Sequence, residues 1–180
     1  MSQHRRRIDQ VMDPTFTESL EDLSNAEIRS RRAMLDDLDT ELSYYRRMLH
    51  GRLDLLDFEL RRRHGEETRS VIEALPQILT DGSAGRSSSP LDRELSLATP
   101  EYAGAGRREV DKALADNFLA RLPNLDEAEL TRIREGLATA EADVSTKRRA
   151  VYDAHDIITA ELTRRYREGV ADADELLKAP

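Results

Sequence analysis

Two sets of five residues in this chain share one spacing. Asp39, Ser43, Arg46, His50 and Asp54 follow one another at +4, +3, +4 and +4, and Glu141, Ser145, Arg148, Tyr152 and Asp156 do the same. On an α-helix turning about 100° per residue, each set falls within an arc of roughly 80°. Each forms a straight polar stripe of acid, hydroxyl, Arg, polar residue and acid. Such a stripe carries both halves of a guanine-recognition code. Arg donates two parallel hydrogen bonds to guanine O6 and N7, worth about 1–3 kcal/mol of discrimination. A carboxylate accepts from guanine N1–H and N2–H₂, and Ser and Arg bond phosphate oxygens. The plainer reading of the same residues is a solvated helix flank with i,i+4 ion pairs. Against it, Ser43 and Ser145 both sit mid-helix, where Ser is not favoured, and the doublets Arg46-Arg47 and Arg148-Arg149 recur.

The stripes need long helices to hold them. Residues 23–64 carry an apolar seam of Leu35, Leu38, Leu42, Tyr45, Leu49, Leu53, Leu56 and Leu60, at heptad-like steps of three and four. Residues 125–168 carry a second seam of Leu130, Ile133, Leu137, Ala140, Val144, Val151, Ile158 and Leu162. Ser24 with Glu27, and Asp126 with Glu129, are capping boxes. Arg61, Arg62, Arg63 and His64 close the first helix, and Arg164, Arg165 and Arg167 close the second, where positive charge suits the helix dipole. Gly65 and Gly169 follow as stops. A helix of about 42 residues spans about 63 Å, and with one narrow apolar stripe it requires a partner helix.

The two halves are an internal repeat with an offset of 102 residues. Over positions 23–63 there are 13 identities, among them Leu35/Leu137, Ser43/Ser145, Arg46/Arg148, Asp54/Asp156, Glu59/Glu161 and Arg63/Arg165. The register extends upstream through Phe16/Phe118 and Leu20/Leu122. The expected architecture is therefore all-α: an antiparallel two-helix coiled-coil hairpin built from an internal repeat, with short accessory helices and a flexible linker. The expected organisation is an N-terminal arm (1–22), helix one (23–65), a linker with short helices (66–122), helix two (123–169) and a C-terminal tail (170–180). The stretch 80–106, with Pro90 and the run Ser87-Ser88-Ser89, reads as mobile.

These residues resemble a known family. The pattern E-x3-S-x2-R-x3-Q-x3-D, on each helix of an antiparallel hairpin, is the signature of the RsiG family of actinobacterial anti-sigma factors. Ser, Arg and the final Asp agree in both copies here. Asp39 replaces the first Glu, and His50 and Tyr152 stand at the Gln positions. The resemblance implies that Asp39, Ser43, Arg46, His50, Asp54, Glu141, Ser145, Arg148, Tyr152 and Asp156 bind cyclic di-GMP, as an intercalated dimer of two molecules per chain. It also implies that the loaded hairpin sequesters a sporulation sigma factor of the WhiG type and blocks transcription of its genes. Short helices around residues 8–16 and 110–118 are candidate contact arms for that partner. The alternative is a structural or adaptor coiled coil without a nucleotide.

Composition narrows the remaining classes. The chain has 180 residues, 36% of them charged and only 4% aromatic, with 28 basic against 36 acidic side chains and a net charge of −8. An α/β enzyme of this length usually has a larger apolar share and more Gly than eight. There is no Cys, so no thiolate nucleophile and no Cys-based zinc site. His50 and Asp54 are i,i+4, but no second His lies one turn away, so no metal is expected. No Gly-rich phosphate loop appears, and a two-helix hairpin has no deep pocket, so the chain reads as no enzyme. No apolar run approaches a membrane span, the N-terminus carries no secretory pattern, and net acidity disfavours direct DNA binding. A cytoplasmic protein is the expectation.

Overall fold

A computed structural model describes residues 6–84 and 118–169. Every regular element among them is helical. Helix α1 spans Arg7–Val11, α2 Asn25–Arg63, α3 Val71–Ala84, α4 Phe118–Arg121 and α5 Glu127–Arg167, with 3₁₀ turns at Pro14–Thr17, Leu20–Asp22 and Leu122–Asn124.

The long helices start and stop for local reasons. At the head of α2, the Ser24 amide donates to Glu27 Oε2 at 2.8 Å and the Glu27 amide to Ser24 Oγ at 3.2 Å. The Ser24 hydroxyl bond, followed by the amide bond, holds the Glu27 carboxyl below its ordinary value. Asp126 and Glu129 repeat the exchange at the head of α5, at 3.0 and 2.7 Å. Helix α2 ends in a Schellman turn: the Glu66 amide reaches the Arg61 carbonyl at 2.9 Å and the Gly65 amide the Arg62 carbonyl at 3.1 Å. That turn requires Gly65 at φ +78°, which is cheap for glycine. Helix α3 opens on a third capping box, Ser70 with Glu73. It runs through Pro76 to Ala84, so helix occupies residues 80–84, the start of the stretch expected to be mobile. Residues 85–117, which hold most of that stretch and of the second candidate arm, lie outside the described residues.

The chain divides into two compact units, and each takes one part of α2 and one part of α5. The first comprises Met1–Leu42 and Thr146–Pro180, and the second Ser43–Ser145. In the first, Arg29 meets Tyr166, Asp36 meets His155 and Asp39 meets Arg148. In the second, Arg46 meets Glu141, Asp57 meets Arg134 and His64 meets Glu127. Rising numbers on α2 pair with falling numbers on α5 in both units, so the fold is an all-α antiparallel helical hairpin.

The seam is buried largely as its spacing predicts. Leu35, Leu38 and Leu42 with Val151, Ile158 and Leu162 are core in the first unit, as are Tyr45, Leu49 and Leu56 with Leu130, Leu137, Ala140 and Val144 in the second. Leu53, Leu60 and Ile133 depart from this and are only half-buried. An α-helix has 3.6 residues per turn, so successive steps of four carry a position such as Leu53 off the contact line. Leu55 and Phe58, off the seam, are buried instead, so a second face of α2 is covered in that unit. In the first unit the N-terminal arm is packed: Val11 and Phe16 are buried. The Arg31 guanidinium lies 5.0 Å over the Phe16 ring, and Arg7 reaches Asp37 at 3.2 Å and Glu41 at 3.6 Å. The apolar side chains of this candidate contact arm therefore already have a role within the chain.

Candidate functional site

Each unit carries part of the ten-residue constellation on the flank of its seam. In the second unit α2 supplies Ser43, Arg46, His50 and Asp54, and α5 supplies Glu141 and Ser145. All six are half-buried. One atom organises them. Glu141 Oε1 accepts from Ser145 Oγ at 2.7 Å and from Arg46 Nε at 3.3 Å, and His50 Nε2 stands 3.1 Å from it. Burial pushes the Glu141 carboxyl up, but the Ser145 hydroxyl, the His50 ring and the Arg46 guanidinium outweigh it and hold the group below its ordinary value. Glu141 is therefore a carboxylate, hence purely an acceptor, at neutral pH.

In the first unit α2 supplies Asp39, and α5 supplies Arg148, Tyr152 and Asp156. Arg148 Nε donates to Asp39 Oδ1 at 3.1 Å. The same guanidinium lies 4.6 Å over the Tyr152 ring and also bonds its hydroxyl. Asp156 is exposed. It lies on the same open face of α5 as Thr159, Thr163 and Arg167.

The two arrangements correspond under the repeat. Arg46 and Arg148 are counterparts, as are Glu141 and Asp39. In each unit the Arg of one copy thus pairs with the leading acid of the other copy, across helices rather than along one. Same-helix i,i+4 bonds, Ser145 to Glu141 and Arg148 to Tyr152, accompany these cross-helix pairs. An arginine held against a carboxylate presents its remaining N–H donors beside the remaining acceptor lone pairs of the carboxylate. Among the described residues no group of three or more His, Asp or Glu side chains is placed to hold a metal ion. None of the described helices is long and apolar enough to cross a membrane.

Compared with known families, the chain matches RsiG-like proteins over residues 14–79 and 116–179, which together make up most of its length. The chain belongs to the RsiG-like family. The two matched segments begin 102 positions apart, the offset of the internal repeat, and together they contain all ten stripe residues. No curated protein matches the chain.

This RsiG-like chain has a second conserved-by-repeat feature that its helix-end charges conceal. Arg165 is buried. Its Nη2 donates to the Leu20 carbonyl at 2.7 Å, and its Nη1 to the Leu23 carbonyl and Asn25 Oδ1, each at 2.8 Å. Arg63 does the same in the other unit, Nη2 to the Leu122 carbonyl at 3.0 Å and Nη1 to the Leu125 carbonyl at 2.6 Å. Glu161 aims Arg165 at 2.7 Å and also binds Arg164, while Glu59 aims Arg63 at 2.8 Å and also binds Arg62. Arg164, then Arg165, holds the Glu161 carboxyl down at about 2, and Arg62 leads in lowering Glu59. The last turn of each long helix thus clasps the 3₁₀ turn that leads into the other. From sequence these arginines read as dipole-compensating charges. The signal that identifies them is the matched run Glu59, Arg62, Arg63 and Glu161, Arg164, Arg165.

Proposed function

We propose that the protein is an anti-sigma factor whose stripes bind cyclic di-GMP, two molecules per chain, and which when loaded sequesters a WhiG-type sigma factor. The observation that carries this reading is the recurrence of the signature Ser, Arg and final Asp on both long helices of an RsiG-like chain, Ser43, Arg46 and Asp54 with Ser145, Arg148 and Asp156. Arg46 and Arg148 supply donors for guanine O6 and N7. Asp39, Asp54, Glu141 and Asp156 supply acceptors for N1–H and N2–H₂, and Ser43 and Ser145 supply hydroxyls for phosphate oxygens. His50 and Tyr152 offer ring faces and polar atoms at the layer between. The protein is a binding regulator rather than an enzyme, acting in the cytoplasm on a protein partner, without direct contact to DNA or membrane. By linkage, the sigma factor tightens the nucleotide by the factor with which the nucleotide tightens the sigma factor.

Calorimetric titration with cyclic di-GMP, alone and beside a WhiG-type sigma factor, tests the reading. Saturation near two nucleotides per chain is expected, weakened in Arg46→Ala and Arg148→Ala at unchanged helicity, with no response to GTP or cyclic di-AMP. One observation favours a second reading. Arg46 and Arg148 find carboxylate partners within the chain itself, as a purely structural coiled coil would require. No heat with cyclic di-GMP, with or without the sigma factor, leaves that reading in place.

A further inference from the structure

We propose that His50 couples nucleotide binding to proton uptake, so that the affinity of this chain for cyclic di-GMP rises as the pH falls through the range around neutrality. The inference rests on the nucleotide-binding reading above and adds a proton to it.

The geometry places one titratable switch among fixed charges. His50 Nε2 lies 3.1 Å from Glu141 Oε1, and both side chains are about four-fifths buried, at 18% and 20% exposure. Facing the ring from α5 is Glu141, with Ser145 bonded to the same oxygen. Along α2, Arg46 lies one turn before it and Asp54 one turn after it, while Arg47 is exposed and turned back to the Ser43 carbonyl at 3.4 Å. An imidazole is the side chain whose ordinary titration falls between pH 5 and 8, and the neighbours named are carboxyl, guanidinium and hydroxyl groups.

The charge balance then sets the sign. With His50 neutral, the stripe of the second unit holds one cation, Arg46, against two carboxylates, Asp54 and Glu141. With His50 protonated it holds two against two. A nucleotide brings phosphodiester anions, which the first state repels and the second accepts in a half-buried setting where charges are poorly screened. Binding therefore favours the protonated ring, and its pKa is higher in the bound state than in the free one. Affinity is greatest below the free-state pKa of His50 and falls as the pH rises through the bound-state pKa. Glu141 stays ionised throughout, because its neighbours hold its carboxyl low. The counterpart of His50 in the other unit is Tyr152, so that stripe has no imidazole at the matching position.

The experiment is titration of the full chain with cyclic di-GMP at pH 6.0, 7.0 and 8.0, in buffers of unlike ionisation enthalpy, which counts the protons taken up. A bound-state pKa one unit above the free one gives about a tenfold gain in affinity across its range. His64→Gln and His155→Gln should keep the slope, although each removes a histidine that faces a carboxylate on the other helix, Glu127 and Asp36. His50→Gln should flatten it whatever its own affinity. Should that variant lose helicity, proton resonances of the His50 ring in the wild type give the midpoint directly, and it must rise on adding nucleotide. Tight binding with no pH dependence, or a slope unchanged in His50→Gln, overturns the proton coupling and leaves the nucleotide reading standing. No binding at any pH overturns both.

Discussion

Arg148 Nε bonds Asp39 Oδ1 at 3.1 Å, and 102 positions away in each residue number Arg46 does the same to Glu141. The Arg148 and Asp39 side chains are 18% and 34% exposed, so the pair is neither free in solvent nor deeply buried. A double-mutant cycle of Asp39→Ala and Arg148→Ala should therefore give a coupling of about 0.2–1 kcal/mol in thermal or urea unfolding. Cyclic di-GMP at a hundred times its dissociation constant should add about 2.7 kcal/mol per bound nucleotide to the wild type, and much less to Arg148→Ala at the same concentration.

The clasp separates two adjacent arginines. Arg165 is 5% exposed and serves the Leu20 and Leu23 carbonyls, whereas the Arg164 side chain is 48% exposed. Arg165→Ala takes a donor from Glu161 and from the Leu20, Glu21 and Leu23 carbonyls and should cost about 3 kcal/mol. Arg164→Ala should cost under about 1 kcal/mol. Arg63→Ala and Arg62→Ala should show the same ordering in the other unit, read by denaturant midpoints.

Acid should loosen the clasp. The Glu161 carboxyl is held down at about 2 by Arg164 and Arg165, against about 4.5 ordinarily. A depressed carboxyl stabilises the fold above its ordinary value and ceases to do so as the pH falls toward the folded value. The difference in melting temperature between wild type and Glu161→Gln should be constant above pH 5 and shrink between pH 4.5 and 2.

At the other end of the scale, Glu127 raises the His64 pKa above 6.5 through a hydrogen bond at 2.9 Å. A raised histidine contributes stability that is present below 6.5 and lost as the pH rises through the folded value. His64→Gln should therefore narrow the stability difference between pH 6 and pH 8. The bridge is exposed, so the effect should also fade in salt.

Phe58 and Ile72 test the second covered face. Phe58 is 1% exposed and Ile72 is 84% exposed. Phe58→Ala should cost about 3–5 kcal/mol, and Ile72→Glu should stay within about 0.5 kcal/mol of wild type.

What could be read from the sequence was local. Capping at Ser24 and Asp126, the stops at Gly65 and Gly169 and the burial of Leu35, Leu49, Leu137 and Val151 depend on residues within a turn or two. The repeat also made the stripes visible as a pattern. The partners chosen by those residues were not visible. Spacing alone offers Arg46 its own-helix neighbours, while the acid it finds, Glu141, is 95 residues away. Arg165 likewise finds carbonyls 145 and 142 residues away. Backbone acceptors carry no side-chain identity, so no residue type at Leu20 or Leu23 announces them. Leu53 and Phe58 exchange expected roles because helical drift and the cover on a second face are properties of packing.

Each compact unit draws one long-helix segment from each copy of the repeat. A chain cut between the copies would leave both units half built, with Arg63 and Arg165 severed from the carbonyls they hold. Fusion in one polypeptide makes the encounter of the two copies intramolecular, governed by a tether rather than by abundance. Assembly of the scaffold is then independent of how many molecules the cell contains, and dose dependence is left to whatever binds it.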